Sequence, residues 1–237
     1  MKKIFITGGS GVLGKKLVEQ LSMDYDVLAP SHTDCDILDF HNLKYRLDNY
    51  KPDIVLHLAA YVDTFGCEQD FEKALDVNVI GTINLVKSCK DIGCKLVYIS
   101  SEYVFGGDKG NYDISDRLDP INVYGKTKAS AEYVVSTFNN YQIIRAPFIK
   151  HIYPEVFIDQ YCSRYFLDEV TDKIIYNILN NNEKLIHIAS SRKSLYEHYK
   201  EKNISVKPIK MSEKFNNIKI IPIDTSLKNN GVKYEKE

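Results

Sequence analysis

The chain has 237 residues, 44% of them hydrophobic and 27% charged, and a formal net charge of −1. That is an ordinary globular balance for one large α/β domain, or one with a small lobe. A charge this close to zero gives no footprint for nucleic acid or an anionic membrane, and no stretch approaches the roughly 18 apolar residues needed to cross a bilayer, so a small-molecule partner is expected.

The N-terminus enters the strand-like run Ile4-Phe5-Ile6 at once, without the charged and apolar regions of a signal peptide. The cysteines, at 35, 67, 89, 94 and 162, are odd in number and scattered. They suit neither a disulfide framework nor paired metal knuckles, so reduced thiols, a cytoplasmic setting and no metal site are expected.

Residues 3–7 read as the first strand. Thr7-Gly8-Gly9-Ser10-Gly11-Val12-Leu13-Gly14 follows, and Leu13, Leu17, Val18 and Leu21 then recur at helical spacing. Glycines at 8, 11 and 14 allow a tight turn, close approach of a pyrophosphate and packing of the helix on the sheet. The helix N-terminus adds free N–H groups and a partial positive charge, so Gly8, Ser10, Gly11, Val12, Leu13 and Gly14 form a candidate phosphate cradle. Residues 26–29 read as the second strand. Its exit, Ala29-Pro30-Ser31-His32, carries no acid to repel a ribose 2′-phosphate, and Lys15 and Lys16 lie nearby. Ser31 is the candidate ribose contact, and NADP(H) is tolerated there alongside NAD(H).

Residues 53–58 form a third strand, and Val77, Ile80, Ile83 and Val86 mark the long helix after it. Residues 95–100 suit a buried central strand. A polar loop over 106–120 separates it from a helix running from Tyr124 to about Phe138. A strand over 142–146, a helix carrying Val170, Ile174, Ile175, Ile178 and Leu179, and a strand over 184–189 follow. Ser194 and Glu197 form a capping box for a helix over 195–201. The tail from Asn229 is polar and is expected to fray. Strands alternating with helices imply an α/β fold with a doubly wound parallel sheet.

Tyr124 and Lys128 stand at i and i+4, on one helix face. In a chain with 17 tyrosines such a pair is common on the surface. Here it follows the central strand, whose carboxyl end carries Ser100 and Ser101, where ligands of doubly wound sheets sit. A neighbouring ammonium lowers the pKa of a phenol from its free value of about 10. Such a phenol can exchange a proton with a carbonyl oxygen while Ser101 hydrogen-bonds it. Ser101, Tyr124 and Lys128 are the candidate catalytic set. His57 and His187 fall in buried strands, where packing explains them, and His151 falls near the expected mouth of the site.

The cradle spacing, with Ser101 and Tyr-x-x-x-Lys, resembles the extended short-chain dehydrogenase/reductases. Ser100-Ser101-Glu102-Tyr103-Val104-Phe105-Gly106-Gly107 and Pro120-Ile121-Asn122-Val123-Tyr124-Gly125-Lys126-Thr127-Lys128 are similar to segments of the dTDP-4-dehydrorhamnose reductases. So are Asp159-Gln160 and Asp224-Thr225-Ser226-Leu227. The resemblance implies a Rossmann-like fold and adenine contact from Asp36 and Ile37. It implies a cofactor wall of Leu58, Ala59 and Ala60 after His57, and a structural motif at Asn78-Val79 and Gly81-Thr82. It further implies Tyr124 as proton donor, Lys128 as holder of the nicotinamide ribose, Ser101 as carbonyl contact, and Glu102 with Tyr103 facing a nucleotide-sugar substrate.

The implied reaction is reduction of the 4-keto group of a 4-keto-6-deoxy nucleotide sugar in deoxysugar or surface-polysaccharide synthesis. Dehydratases of the family carry an Asp-Glu pair where this chain has Glu102 and Tyr103, which disfavours dehydration. Epimerization, and a non-catalytic NAD(P)-binding regulatory subunit, stay open. Between Arg145 and Asp159 the chain is shorter than in these reductases. A single domain over 1–237 with a reduced substrate lobe within about 147–237 is therefore expected, and a homodimer is a candidate for completing it.

Overall fold

The computed structural model describes residues 1–215 and 220–231. Strand β1 (Lys3–Thr7) leads into helix α1 (Val12–Leu21), and β2 (Asp26–Leu28) into α2 (Phe40–Tyr50). After β3 (Ile54–His57) come α3 (Thr64–Gln69), α4 (Phe71–Leu75), a π turn (Asp76–Ile80) and α5 (Gly81–Cys89). Strand β4 (Lys95–Ser100) ends in a 3-10 turn (Glu102–Val104), and α6 (Val123–Ser136) precedes β5 (Tyr141–Arg145). Four short strands follow: β6 (Phe148–Ile149), β7 (Glu155–Phe157), β8 (Tyr161–Cys162) and β9 (Tyr165–Phe166). Then come α7 (Leu167–Asn180), β10 (Leu185–His187), β11 (Lys193–Ser194), α8 (Leu195–Glu201), β12 (Lys207–Ile209) and α9 (Met211–Lys214).

The central sheet has the order β10-β5-β4-β3-β1-β2, with every neighbouring pair parallel. The chain steps from β1 outward to β2, then crosses back to β3 on the other side. The carboxyl ends of β1 and β3 therefore flank the switch point where such sheets open a crevice. Alternate strand residues feed two cores, as the two-residue period requires. Ile4 and Ile6 pack with Leu17, Ile174 and Ile178 on one face, and Phe5 packs with Leu43, Leu47, Leu85 and Val135 on the other.

The helix after β3 departs from the expected stripe. Val77, Ile83 and Val86 are only half-buried and Ile80 is 41% exposed, while Asn78, Gly81, Thr82, Leu85, Ser88 and Cys89 face inward. The π turn adds a residue to the ladder and rotates the face it presents. Asn78 is turned in by this bulge. Its Oδ1 accepts the Tyr61 N–H at 2.7 Å, and its Nδ2 donates to the Tyr61 carbonyl at 3.1 Å and to Thr127 Oγ1 at 2.9 Å. One side chain thus ties the loop after β3 to α6.

Helix α2 was not read from the sequence, although Asp39 caps it through the Asn42 N–H and Leu43 and Leu47 carry its buried face. Polar and aromatic side chains fill the rest of it, so the two core leucines alone mark it. The small sheets β6-β9, β11-β8 and β12-β7 were also unread, because strands of two or three residues show no period. The fraying expected from Asn229 fails where the chain is described. Asn230 Oδ1 accepts the His187 N–H at 2.6 Å, and Asn229 Oδ1 accepts the Ala189 N–H at 3.2 Å. Residues 232–237 lie outside the described residues. The five cysteines are free and buried, and no helix among the described residues is long and apolar enough to cross a membrane.

Glu132 and Arg145 make an ion pair between α6 and β5, with side-chain exposures of 5% and 3%. Arg145 Nε and Nη2 donate to the two carboxylate oxygens at 2.9 and 2.6 Å, and Ser100 Oγ donates to Oε1 at 2.5 Å. Arg145 Nη1 also meets His187 Nε2 at 3.0 Å. Removing one partner strands the other charge in the core. Arg145→Ala is expected to cost about 3–5 kcal/mol in urea unfolding, and a loss under 1 kcal/mol would show the pair to be dispensable.

Candidate active site

One cleft of about 970 Å3 runs across the carboxyl ends of the strands. Its floor at one end is the β1–α1 junction, Gly8 and Ser10 through Gly14. Gly8 adopts φ +72°, and a Cβ there would lie 2.6 Å from the Ala59 nitrogen. Only glycine lets β1 turn this close to the loop after β3. Helix α1 starts at Gly11 without a side-chain cap and without an acid in its first turn. Its terminal N–H groups and positive dipole end are thus left for an anionic ligand.

Pro30, His32, Cys35, Asp36 and Ile37 wall the same end, opposite Leu58, Ala59 and Ala60. Ser31 takes a different direction from that expected. Its hydroxyl donates to Asp34 Oδ2 at 2.5 Å and lies 2.8 Å from Thr33 Oγ1. The loop after β2 curls back, so a carboxylate reaches a strand exit that carries none in sequence. Lys16 is likewise turned aside, toward Asp168 of α7 at 3.2 Å.

The wall continues through Ser100, Ser101, Glu102, Tyr103, Tyr124 and Lys128. Ser101 caps the 3-10 turn, its Oγ accepting the Tyr103 N–H at 3.2 Å and donating to Glu102 Oε2 at 3.1 Å. Asn122 caps α6 through the Gly125 N–H at 2.7 Å, and its Nδ2 holds the Ile220 carbonyl at 2.8 Å. At Gly125 a Cβ would sit 2.0 Å from the Tyr103 carbonyl oxygen, so the first turn of α6 packs directly on the turn after β4. That contact places Tyr124 edge-on to Tyr103, with ring centroids 6.1 Å apart, and brings its phenol against the Ser101 hydroxyl.

Lys128 is buried one turn along α6. Its Nζ donates to the Ile99 carbonyl at 2.8 Å and lies 4.0 Å from the Tyr98 ring centroid. The acidified phenol expected from an adjacent ammonium does not appear. Burial holds the Tyr124 phenol above its usual range, Ser101 opposes this, and Glu102 adds to it. Burial also pushes the Lys128 ammonium down to about 7, against the pull of Glu132. Desolvation disfavours both charged forms and is the largest influence on each.

The histidines do more than fill space. His57 Nδ1 meets Thr7 Oγ1 at 2.7 Å and Nε2 meets Thr82 Oγ1 at 3.0 Å, bracing β1 against α5 beneath the cleft. Burial first, then Lys128, lowers its pKa to about 3, so it stays neutral. His187 Nδ1 meets the Lys228 carbonyl at 3.1 Å. His151 is exposed, and its neighbours Lys150 and Tyr153 line the cleft. Arg164, Tyr61, Phe65 and Lys73 also line it and were not singled out from sequence, because no motif marks them. Among the described residues no group of three or more His, Cys, Asp or Glu could hold a metal ion.

The family model described as the RmlD substrate binding domain matches residues 1–167. The chain is 35% identical to the spore coat polysaccharide biosynthesis protein SpsK of Bacillus subtilis over 153 residues, which is 63% of this chain and 54% of that protein. It is 36% identical to a dTDP-4-dehydrorhamnose reductase of Mycolicibacterium smegmatis over 137 residues, 56% of this chain and 41% of that protein. The chain thus spans about half the length of the curated relatives it matches. A crystal structure of a Bacillus anthracis dTDP-4-dehydrorhamnose reductase in complex with NADP is similar with a TM-score of 0.85 at 26% identity, covering 97% of this chain and 92% of that one.

The low pKa of Lys128 sets a sign for stability. The unfolded lysine keeps its proton up to about pH 10.4, whereas the folded one loses it near 7. Between those values the unfolded state binds more protons, so this residue makes the wild type gain stability as pH rises. Urea unfolding at pH 7 and pH 10 is expected to show that gain shrink in Lys128→Met; an identical pH slope in both proteins would place the charged amine in folded and unfolded states alike.

Proposed function

The chain belongs to the RmlD substrate-binding-domain family, and from that premise we propose that it is an NAD(P)H-dependent reductase of a 4-keto-6-deoxy nucleotide sugar. The observation that carries this reading is one cleft wall holding the Gly8–Gly14 cradle at one end and Ser101, Tyr124 and Lys128 at the other. The Mycolicibacterium and Bacillus anthracis relatives, the latter solved with NADP, support it.

In this reading the cradle and the start of α1 hold the cofactor pyrophosphate. Asp36 and Ile37 border the adenine, Leu58 to Ala60 wall the middle, and Lys128 holds the nicotinamide ribose. NADP(H) or NAD(H) is the cofactor, and when reduced it supplies a hydride to the keto carbon. Tyr124 gives its phenolic proton to the oxygen of that carbon, so the carbonyl becomes an alcohol and the phenol a phenolate. A phenol that burial keeps protonated is the right starting form for an acid. A Lys128 ammonium whose pKa burial lowers to about 7 can give its proton back toward the phenolate at ordinary pH, leaving the neutral amine. Ser101 orients the carbonyl, and Glu102 and Tyr103 border the sugar. Glu102 has both oxygens engaged, by Ser101 and by Arg164, which leaves it no role as the free acid or base that dehydration demands. Residues 1–237 act as one domain, with the elements after about residue 147 forming a small substrate lobe.

The test is NADPH oxidation with a panel of 4-keto-6-deoxy nucleotide sugars. One of them is expected to turn over, and Tyr124→Phe is expected to slow that turnover by about 100-fold or more with NADPH affinity unchanged. Tight NADPH binding without turnover of any sugar would replace the enzyme with a regulatory NAD(P)-binding subunit.

A further inference from the structure

The sheet half of the cleft and its lobe meet at an ion pair inside the cleft. Arg164 sits on the link between β8 and β9, where its carbonyl accepts Ser190 Oγ at 2.9 Å. Its side chain is 18% exposed and lines the cleft. It donates through Nε at 2.9 Å and Nη2 at 2.7 Å to the same oxygen, Oε1, of the buried Glu102. The other oxygen, Oε2, accepts the Ser101 hydroxyl at 3.1 Å, and Ser101 touches the Tyr124 phenol. A second route runs through stacking: the guanidinium lies 5.9 Å from the Tyr103 ring centroid, and that ring stands edge-on to Tyr124.

A carboxylate this buried must be saturated by donors. Arg164 supplies two of them and a balancing charge, which leaves only a long bond from the serine. Without the guanidinium, Glu102 would take the Ser101 proton more strongly. Ser101 has one proton, and a serine committed to Glu102 cannot give it to a substrate carbonyl. We infer that Arg164 is a positioning residue for the Ser101–Tyr124 pair, acting through Glu102 and Tyr103. Arg164 carries no part of the hydride or proton transfer. The activity arm of the test rests on the reductase reading above; the crystallographic arm does not.

The experiment compares wild type, Arg164→Gln, Arg164→Lys, Glu102→Gln and the Glu102→Gln/Arg164→Gln double variant, each loaded with NADPH. In steady-state reduction of a 4-keto-6-deoxy nucleotide sugar, Arg164→Gln is expected to lower kcat about 100-fold, the size of effect that misplacing a catalytic group by an ångström produces, with KM nearly unchanged. Arg164→Lys should recover only part, because a point charge does not reproduce the guanidinium fork. Because Glu102 also borders the sugar, the double variant is compared with Glu102→Gln alone: adding Arg164→Gln there should cost kcat far less than adding it to wild type, because no stranded carboxylate remains. Crystal structures of wild type and Arg164→Gln should show the Ser101 hydroxyl drawn from Tyr124 toward Glu102.

A raised KM with unchanged kcat would overturn the inference, since Arg164 would then hold substrate directly. A loss on adding Arg164→Gln to Glu102→Gln as large as its loss in wild type would overturn it too. If wild type reduces no sugar in the panel, the reductase reading falls while the crystal comparison still decides: an unmoved Ser101 in Arg164→Gln sinks the positioning role. Should Arg164→Gln fail to fold, Arg164→Lys takes its place in both arms.

Discussion

Helix α6 reaches the site only because its far side is anchored to the carboxyl ends of β4 and β5. Glu132 lies one turn beyond Lys128 and gathers Ser100 from β4 and the Nε and Nη2 of Arg145 from β5. A charge pair this deep is costly to assemble, but once formed it tolerates no missing partner. It therefore fixes the register of α6 against the sheet more tightly than the apolar contacts of Ala131 and Val135 could alone. From that fixed register follow the approach of Gly125 to the Tyr103 carbonyl, the meeting of Tyr124 with Ser101, and the reach of Lys128 to the Ile99 carbonyl.

The same burial governs the chemistry. Adjacent phenol and amine would be expected to charge one another, yet desolvation is the largest influence on each. The outcome is a protonated phenol and an amine poised near neutrality. Around them the negative charges are matched: Glu132 by Arg145, Glu102 by Arg164. Neutral His57 and the Thr7 and Thr82 hydroxyls stiffen the floor below without adding charge. Such an interior is preorganised, with its carboxylates already paired before any ligand arrives, although the buried Tyr98 hydroxyl beneath Lys128 has no hydrogen-bond partner among the described residues.

The floor and the loop after β3 are joined by a device of a different kind. The π turn at Asp76–Ile80 spends its extra residue on turning Asn78 inward, where it holds both backbone polar groups of Tyr61 and reaches Thr127 on α6. The cleft wall from Leu58 to Ala60 and the helix bearing Tyr124 are thereby referenced to a single amide. Apolar residues of the π turn and α5, Ile80 among them, are left half-buried or exposed as a consequence.

The order of the large strands and helices, the glycine cradle and the Ser101, Tyr124 and Lys128 set were legible in the sequence. These depend on local properties: strand and helix periods, glycine at a turn of positive φ, and an i,i+4 spacing that any helix converts to adjacency. Helix α2 escaped because two leucines scarcely mark a period, and the lobe strands because two residues have none. Only the tertiary structure decided which partner each charged group takes. Lys16 turns to Asp168, Ser31 to Asp34, Lys128 to a carbonyl and a ring, and Arg164 crosses 62 positions to Glu102. Protonation follows from those partners and from burial, both set by residues distant along the chain, so no local pattern could announce that the phenol would be held neutral.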